Sequence, residues 1–290
     1  MHYGRLLYTR QITSGRPAIL YRIEILQWSH PVNNRHIILS TLLLFILSLH
    51  TSLSNAKERI VAWTYYDFPP FIISEADKKG LSYDFVSLLN QHEEFGYRFK
   101  LKYLPRKRLN KLLGEGRKGI VLWVNPIFFE DTSKTKYLWT TSLLSDQQDL
   151  ISLKSKPVIY DGTPKSLKGY TIGGVLGHRY KGLEEAIQNG LLTRKNVNRE
   201  KQNIGKLLAK RIDVFLIPNT SMAYYDKEMK LTNKIYYSPI PLNKYNRHIM
   251  VQKEMTEVHK ALNTIIKDLP NNGFWEALGE QYGLEDNFIR

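Results

Sequence analysis

From Ile60 onward, short apolar runs alternate with segments whose apolar residues recur every three or four positions. Ile60-Val-Ala-Trp-Thr64 predicts a buried strand. Ser82 is placed to cap a helix with Phe85, Leu88 and Leu89 on one face. Arg98 to Tyr103 alternates, with Phe99, Leu101 and Tyr103 on one side, as a strand does. Leu109, Leu112 and Leu113 mark a short helix that stops at Gly114 and Gly116, and Gly119–Val124 predicts a third strand. The β-α-β-α-β order predicts a mostly parallel sheet with helices on both faces. The pattern then restarts: a strand over Tyr170–Val175, a helix from Leu183 to Ile187, a helix carrying Ile204, Leu207 and Leu208, and a strand over Asp213–Ile217. Val258, Leu262, Ile265, Ile266 and Leu269 line a long amphipathic helix near the end. Two similar α/β units imply two lobes, and ligands in such folds sit beyond the carboxyl ends of the strands and between lobes.

Upstream the pattern is different. Asn33-Asn-Arg-His36 precedes an uncharged run, Ile37–Leu49, and a polar tail ends in Ser54-Asn-Ala56. A positive start, a short apolar core and small residues before a cut form a secretory signal. The run is short for a membrane span, which needs about 18 residues. The expectation is export with cleavage before Lys57, to the periplasm. Residues 1–31 precede any ordinary signal, and the reading is that they are a disordered extension or that translation starts at Val32, giving a signal over 32–56.

Charge and cysteine content narrow the function. The chain carries a formal +15; taking away the five arginines and one glutamate of residues 1–56 leaves 37 basic and 26 acidic side chains, or +11. Such a balance suits an anionic ligand, a membrane surface or envelope polyanions. Nucleic acid is not an expected partner of an exported protein. Zero cysteines remove disulfides, thiol catalysis, thiolate metal sites and a lipid-anchored N-terminus. The eight histidines show neither HExxH nor His-x-His spacing, so no metal or other cofactor is expected.

Five motifs then fall in one order. They are Tyr65-Tyr-Asp-Phe-Pro-Pro-Phe71, Gly80-Leu-Ser-Tyr-Asp-Phe85, Ser166-Leu-Lys-Gly-Tyr-Thr-Ile-Gly173, Leu208-Ala-Lys-Arg-Ile-Asp213, and Gly273-Phe-Trp275 leading to Tyr282-Gly283. Together they resemble the extracytoplasmic solute-binding proteins of family 3, the type II periplasmic binding fold, over roughly Lys57 to Gly283. The resemblance implies two doubly wound lobes joined by a two-strand hinge. Lobe 1 would be 57–147 plus 244–290 and lobe 2 148–243, with crossings near Gln147–Asp149 and Leu242–Asn246. It implies a monomer that closes on a small molecule through contacts present only in the closed state. The implied partner is an ABC permease, or a membrane receptor if the module senses.

The resemblance also points to candidate ligand residues. Phe68 falls where the family places a stacking aromatic, although it equally fits a core beside Pro69 and Pro70. Pro105-Arg-Lys-Arg108 opens a helix toward the cleft, so Arg106 or Arg108 could fork a carboxylate or phosphate. Trp123 and Asn125 end the third strand. His178, Arg179 and Tyr180 follow the first strand of lobe 2, where the family uses small hydroxyl residues, and Arg179 at a helix start would suit an anion. Asn219 and Thr220 follow the 213–217 strand. Two departures matter. The family's carboxylate-clamping arginine is replaced by Phe128-Phe-Glu-Asp131, and its amine-clamping aspartate by Pro218-Asn219. An anionic or aromatic ligand is therefore expected ahead of an α-amino acid. A dehydratase-like enzyme on the same fold is the alternative, with Glu130, Asp131 or Asp67 as its acid or base.

Overall fold

A computed structural model describes residues 57–289. The signal segment and the N-terminal extension lie outside the described residues. Among those described, no helix is long and apolar enough to cross a membrane.

The first lobe is built on β1 (Glu58–Thr64), β2 (Tyr97–Tyr103) and β3 (Ile120–Val124), with helices α1 (Leu81–Leu89) and α2 (Arg106–Gly114) between them. β1 pairs in parallel with both β2 and β3. β3 is buried at all five positions, which is why it reads as an unbroken apolar run rather than an alternating one. α1 begins one residue before Ser82. Gly80 is its N-cap and no side chain caps it. Ser82 instead lies inside the helix, where its Oγ accepts a hydrogen bond from the Trp123 indole at 2.9 Å. The capping expectation fails because Ser82 has a buried donor to satisfy.

The chain continues through β4 (Leu138–Trp139) into β5 (Leu144–Leu153) and then builds the second lobe. Its elements are β6 (Thr171–Val175), α3 (Glu184–Gln188), β7 (Thr193–Val197), α4 (Lys201–Leu208), β8 (Val214–Pro218), α5 (Asn219–Met229) and β9 (Ile235–Tyr237). The chain returns along β10 (Asn243–Val251) to α6 (Thr256–Asp268) and α7 (Gly273–Tyr282). The strand order is β2-β1-β3-β10-β5-β8-β6-β7, with β4 on β10 and β9 on β5. β5 and β10 run antiparallel, from Asn243 opposite Gln148 to Arg247 opposite Leu144, and they carry the chain between the lobes.

Each lobe has its own apolar interior. One cluster gathers Phe71, Phe85, Trp123, Leu262 and Trp275 from the first lobe. Two more lie on the two faces of the second-lobe sheet, around Leu150, Leu167 and Leu216 and around Phe215, Ile204 and Met222. α6 places Val258, Ala261, Leu262, Ile265 and Ile266 on its buried face, as the spacing predicts. Trp123 is the backbone exception, with φ +64 in the left-handed region that non-glycine residues seldom occupy. Its ring packs against Phe85 at 4.8 Å and Phe71 at 5.6 Å, and these contacts hold the turned conformation.

Candidate functional site

The floor between the lobes is an ion pair. β5 and β10 bring Asp146 and Arg247 together with Nη2 to Oδ2 at 2.6 Å, both side chains being essentially inaccessible. The pair is well satisfied. Arg247 Nε donates to Asp146 at 2.7 Å and Nη1 to the Trp123 carbonyl at 2.8 Å. The left-handed turn at Trp123 is therefore also the place where β3 supplies an acceptor. Asp146 accepts from the Thr220 N–H at 3.2 Å and hydroxyl at 3.0 Å. The guanidinium carbon sits 4.8 Å from the Tyr66 ring, 4.7 Å from Phe71 and 5.2 Å from Tyr245, an aromatic box around a cation.

The first turn of α5 ties this floor to both lobes. Asn219 donates to Asp149 at 2.7 Å and accepts from Asn287 at 2.9 Å. Burial lifts the Asp149 carboxyl above its ordinary value, while Asn219 and Gln147 oppose the rise. Ser221 Oγ donates to the Pro69 carbonyl of the first lobe at 2.9 Å. Lys227 reaches the Glu280 carbonyl at the end of α7.

Charged groups from the two lobes lie near enough to act on one another. Asp67 of the first lobe acts on His178 of the second. His178 is exposed as a residue, but the protein crowding its ring and then the Arg194 guanidinium hold it below its usual value, and Asp67 pulls it the other way. Burial and then Asp67 raise the Tyr103 hydroxyl, while Arg199 of the second lobe lowers it. Glu200, the residue before α4, is 5% exposed. Burial lifts its carboxyl to about 8, against the pull of Arg247, with Asp146 and Asp67 adding to the rise.

The candidates from sequence are spread across this arrangement. Phe68 is half-buried beside Asp67 and sets its ring edge-on to Tyr66 at 5.4 Å and Phe71 at 5.9 Å. Arg106 stacks over Phe129 at 4.0 Å and Tyr65 at 4.8 Å, and donates to the Phe128 carbonyl and to Asn110. Arg108 is exposed. Trp123 lies in the first-lobe core. Asn125 caps a short 3-10 helix, Pro126–Phe129, and donates to the Asn246 carbonyl at 2.8 Å. His178 and Arg179 are exposed on the loop after β6, with Arg179 4.0 Å from Glu184. Tyr180 is buried and its hydroxyl accepts from the Val175 N–H at 3.0 Å. Asp131 is closed to chemistry, because its carboxylate accepts from the Thr135, Lys136 and Tyr137 amides and the Trp139 indole at 2.7–3.1 Å.

Arg247, Asp146 and Glu200 are not foreshadowed by the sequence reading. A signal existed for the first two: two acids, Asp146 and Asp149, in one crossing strand and two bases, Lys244 and Arg247, in the other. Glu200 gave none, because Asn-Arg-Glu-Lys reads as a solvated helix start. Two open surface hollows, about 450 Å³ by His92 and Asn271 and about 520 Å³ by Asn196 and Arg211, lie away from these groups. Neither contains a convergent buried charge, so the interlobe floor is the candidate site. Among the described residues, no group of three or more His, Asp or Glu is arranged to hold a metal ion.

The bilobed arrangement has many solved counterparts. A substrate binding protein of an ABC uptake transporter from Streptococcus pneumoniae, with bound histidine, aligns with a TM-score of 0.62 at 17% identity, over 81% of this chain and 96% of that one. The substrate binding protein of an amino acid ABC transporter aligns at 0.55 and 22%, over 77% and 98%. The periplasmic domain of BvgS from B. pertussis aligns at 0.60 and 15%, over 79% of this chain and 44% of that one. At these identities the likeness establishes the fold. No curated protein matches. Residues 60–285, nearly everything from the first strand to the last helix, match one family, and the chain belongs to the bacterial extracellular solute-binding proteins, family 3.

Proposed function

We propose that this chain captures a small polar solute between its two lobes outside the cytoplasm and delivers it to an ABC-type permease. The observation that carries the reading is the convergence of Asp67 and Tyr103 from one lobe with His178, Arg199 and Glu200 from the other, over the Arg247–Asp146 floor. A solute held there touches both lobes at once and so favours the closed state over the open one. Solved relatives by fold include binding proteins of amino-acid transporters, which supports delivery to a permease. Aromatic side chains at Tyr65, Tyr66 and Phe68 support a ligand with some flat or apolar surface. Arg108, exposed in the first turn of α2, and Arg179, exposed on the loop after β6, support a ligand that carries a carboxylate.

A second reading, acid–base chemistry on the bound solute, has one observation in its favour: the buried Glu200 carboxyl, held near 8 by loss of water. The two readings separate on product. Native mass spectrometry of protein recovered from its own cell envelope is the test. One small molecule per chain, released unchanged, is the expected result. A released molecule that turns over on incubation with the purified protein supports the enzyme instead, and a chain that neither retains nor binds any solute contradicts capture.

A further inference from the structure

Four buried side-chain polar atoms lack a hydrogen-bond partner among the described residues: Ser142 Oγ, Glu200 Oε2, Asn203 Oδ1 and Trp275 Nε1. Two of the four are acceptors three residues apart, at the start of α4. Residues at that spacing share a helix face. Buried acceptors are almost always supplied with donors in a finished structure, so two missing donors on one face describe a missing group. Asn203 is fully buried and spends only its amide N–H, on the Gly174 carbonyl at 3.3 Å. Glu200 is 5% exposed, and none of its neighbours donates to Oε2.

The other buried carboxylates contrast with it. Asp131 has four donors, Asp149 has Asn219 and Gln147, and Asp146 has Arg247 and Thr220. The groups that act on Glu200 come from every side. Arg247, Asp146 and Tyr245 belong to the crossing strands, Asp67 to the first lobe, and Tyr180 and Tyr225 to the second. Arg247 is the cation in this set, and Asp146 already neutralises it. Arg199 and Lys201, on either side in the chain, are exposed. The local charge around Glu200 is therefore acidic once the ion pair is discounted, and the adjoining aromatic box already surrounds one guanidinium.

Resting on the capture reading above, we propose that Glu200 is the acceptor for a cationic group of the solute, an ammonium or guanidinium, so that the ligand is a cation or a zwitterion and not a simple anion. An ammonium brings three donors and a positive charge to a place that has acceptors and no free positive charge. Docking it converts the neutral carboxylic acid to a carboxylate, and the acid's proton leaves to solvent. The sign follows. Below about pH 8 the free protein holds that proton, so binding releases it and affinity rises with pH. Above that value the carboxylate is already present and affinity levels off.

The test is calorimetric titration of the purified protein with L-arginine, L-lysine, L-histidine, putrescine, glutarate and succinate, in two buffers of different ionisation enthalpy. At least one of the four amine- or guanidine-bearing probes is expected to bind with close to one proton released at pH 7, weakening about tenfold per pH unit below pH 7. Glu200→Gln is expected to weaken it by a factor on the order of a hundred and to abolish both the proton release and the pH slope. Glu200→Asp keeps the charge and should retain the pH slope with weaker binding. The folding control is built in: removing a buried acid that resists ionisation should leave the unliganded Glu200→Gln protein at least as stable to heat at pH 7. Tight binding of succinate or glutarate that is indifferent to Glu200→Gln overturns the cation assignment and leaves capture standing. Failure of the four cationic probes to bind overturns the cation assignment, and a chain that also retains no solute from its own envelope overturns capture.

Discussion

Single side chains decide what the interlobe region can do, and Asp131 shows how. The sequence offers it as a catalytic acid, and the structure gives it four donors instead. The loss of water opposes ionisation there, but the Lys136, Thr135 and Tyr137 amides and the Trp139 indole outweigh it and hold the carboxyl below its usual range. A group depressed in the folded state stabilises the fold above its unfolded value, about 3.9, and loses that contribution as pH falls through the lower folded value. Asp131→Asn is therefore expected to unfold at lower urea than wild type at pH 7, with the gap closing as pH drops below 4. A gap that stays constant from pH 7 to pH 3 would show that the charge is not what holds the loop. The same accounting applies to the arginines. Their positions after strands were legible from the sequence. Arg106 is spent partly on Asn110, one helical turn on, but also on the Phe128 carbonyl 22 residues away, a contact that no local pattern records.

At the scale of elements, β5 and β10 are the pair on which the two lobes depend. Sequence periodicity found the strands that are buried on both faces and the helices with a clean apolar stripe, because burial there is repeated. It passed over β10, which runs from four exposed or half-exposed residues into five buried ones. It also passed over β7, a mostly exposed Thr-Arg-Lys-Asn-Val edge strand beside β6. α5 escaped notice because its first turn is polar for a reason outside itself: Asn219 and Thr220 bond Asp149 and Asp146 of β5, and Ser221 bonds the Pro69 carbonyl of the first lobe. The Arg247–Asp146 pair joins the two crossing strands in a place without water. Removing one partner strands the other charge. Asp146→Asn is expected to cost about 3–5 kcal/mol of unfolding free energy in urea titration. Replacing both residues with apolar ones of similar volume should recover part of that loss. A cost under about 1 kcal/mol for Asp146→Asn would mean the pair is reached by water and is not the floor described here.

For the whole molecule, the two-lobe architecture was the most legible feature, since five motifs in one order carry it and 60–285 match the family throughout. The chemistry between the lobes was the least legible, because Glu200, Asp67, Tyr103 and Arg247 come from four separate elements and meet only after folding. A solute captured as proposed sits between the lobes and touches both. Hydrogen exchange on the purified protein, with and without the solute that co-purifies with it, tests this directly. Slowed exchange is expected in three separated stretches together: the loop after β1 at 65–68, the start of α4 at 199–203, and the crossing strand at 245–247. Slowing confined to one lobe, or to the surface hollows by His92 or Asn196, would contradict it.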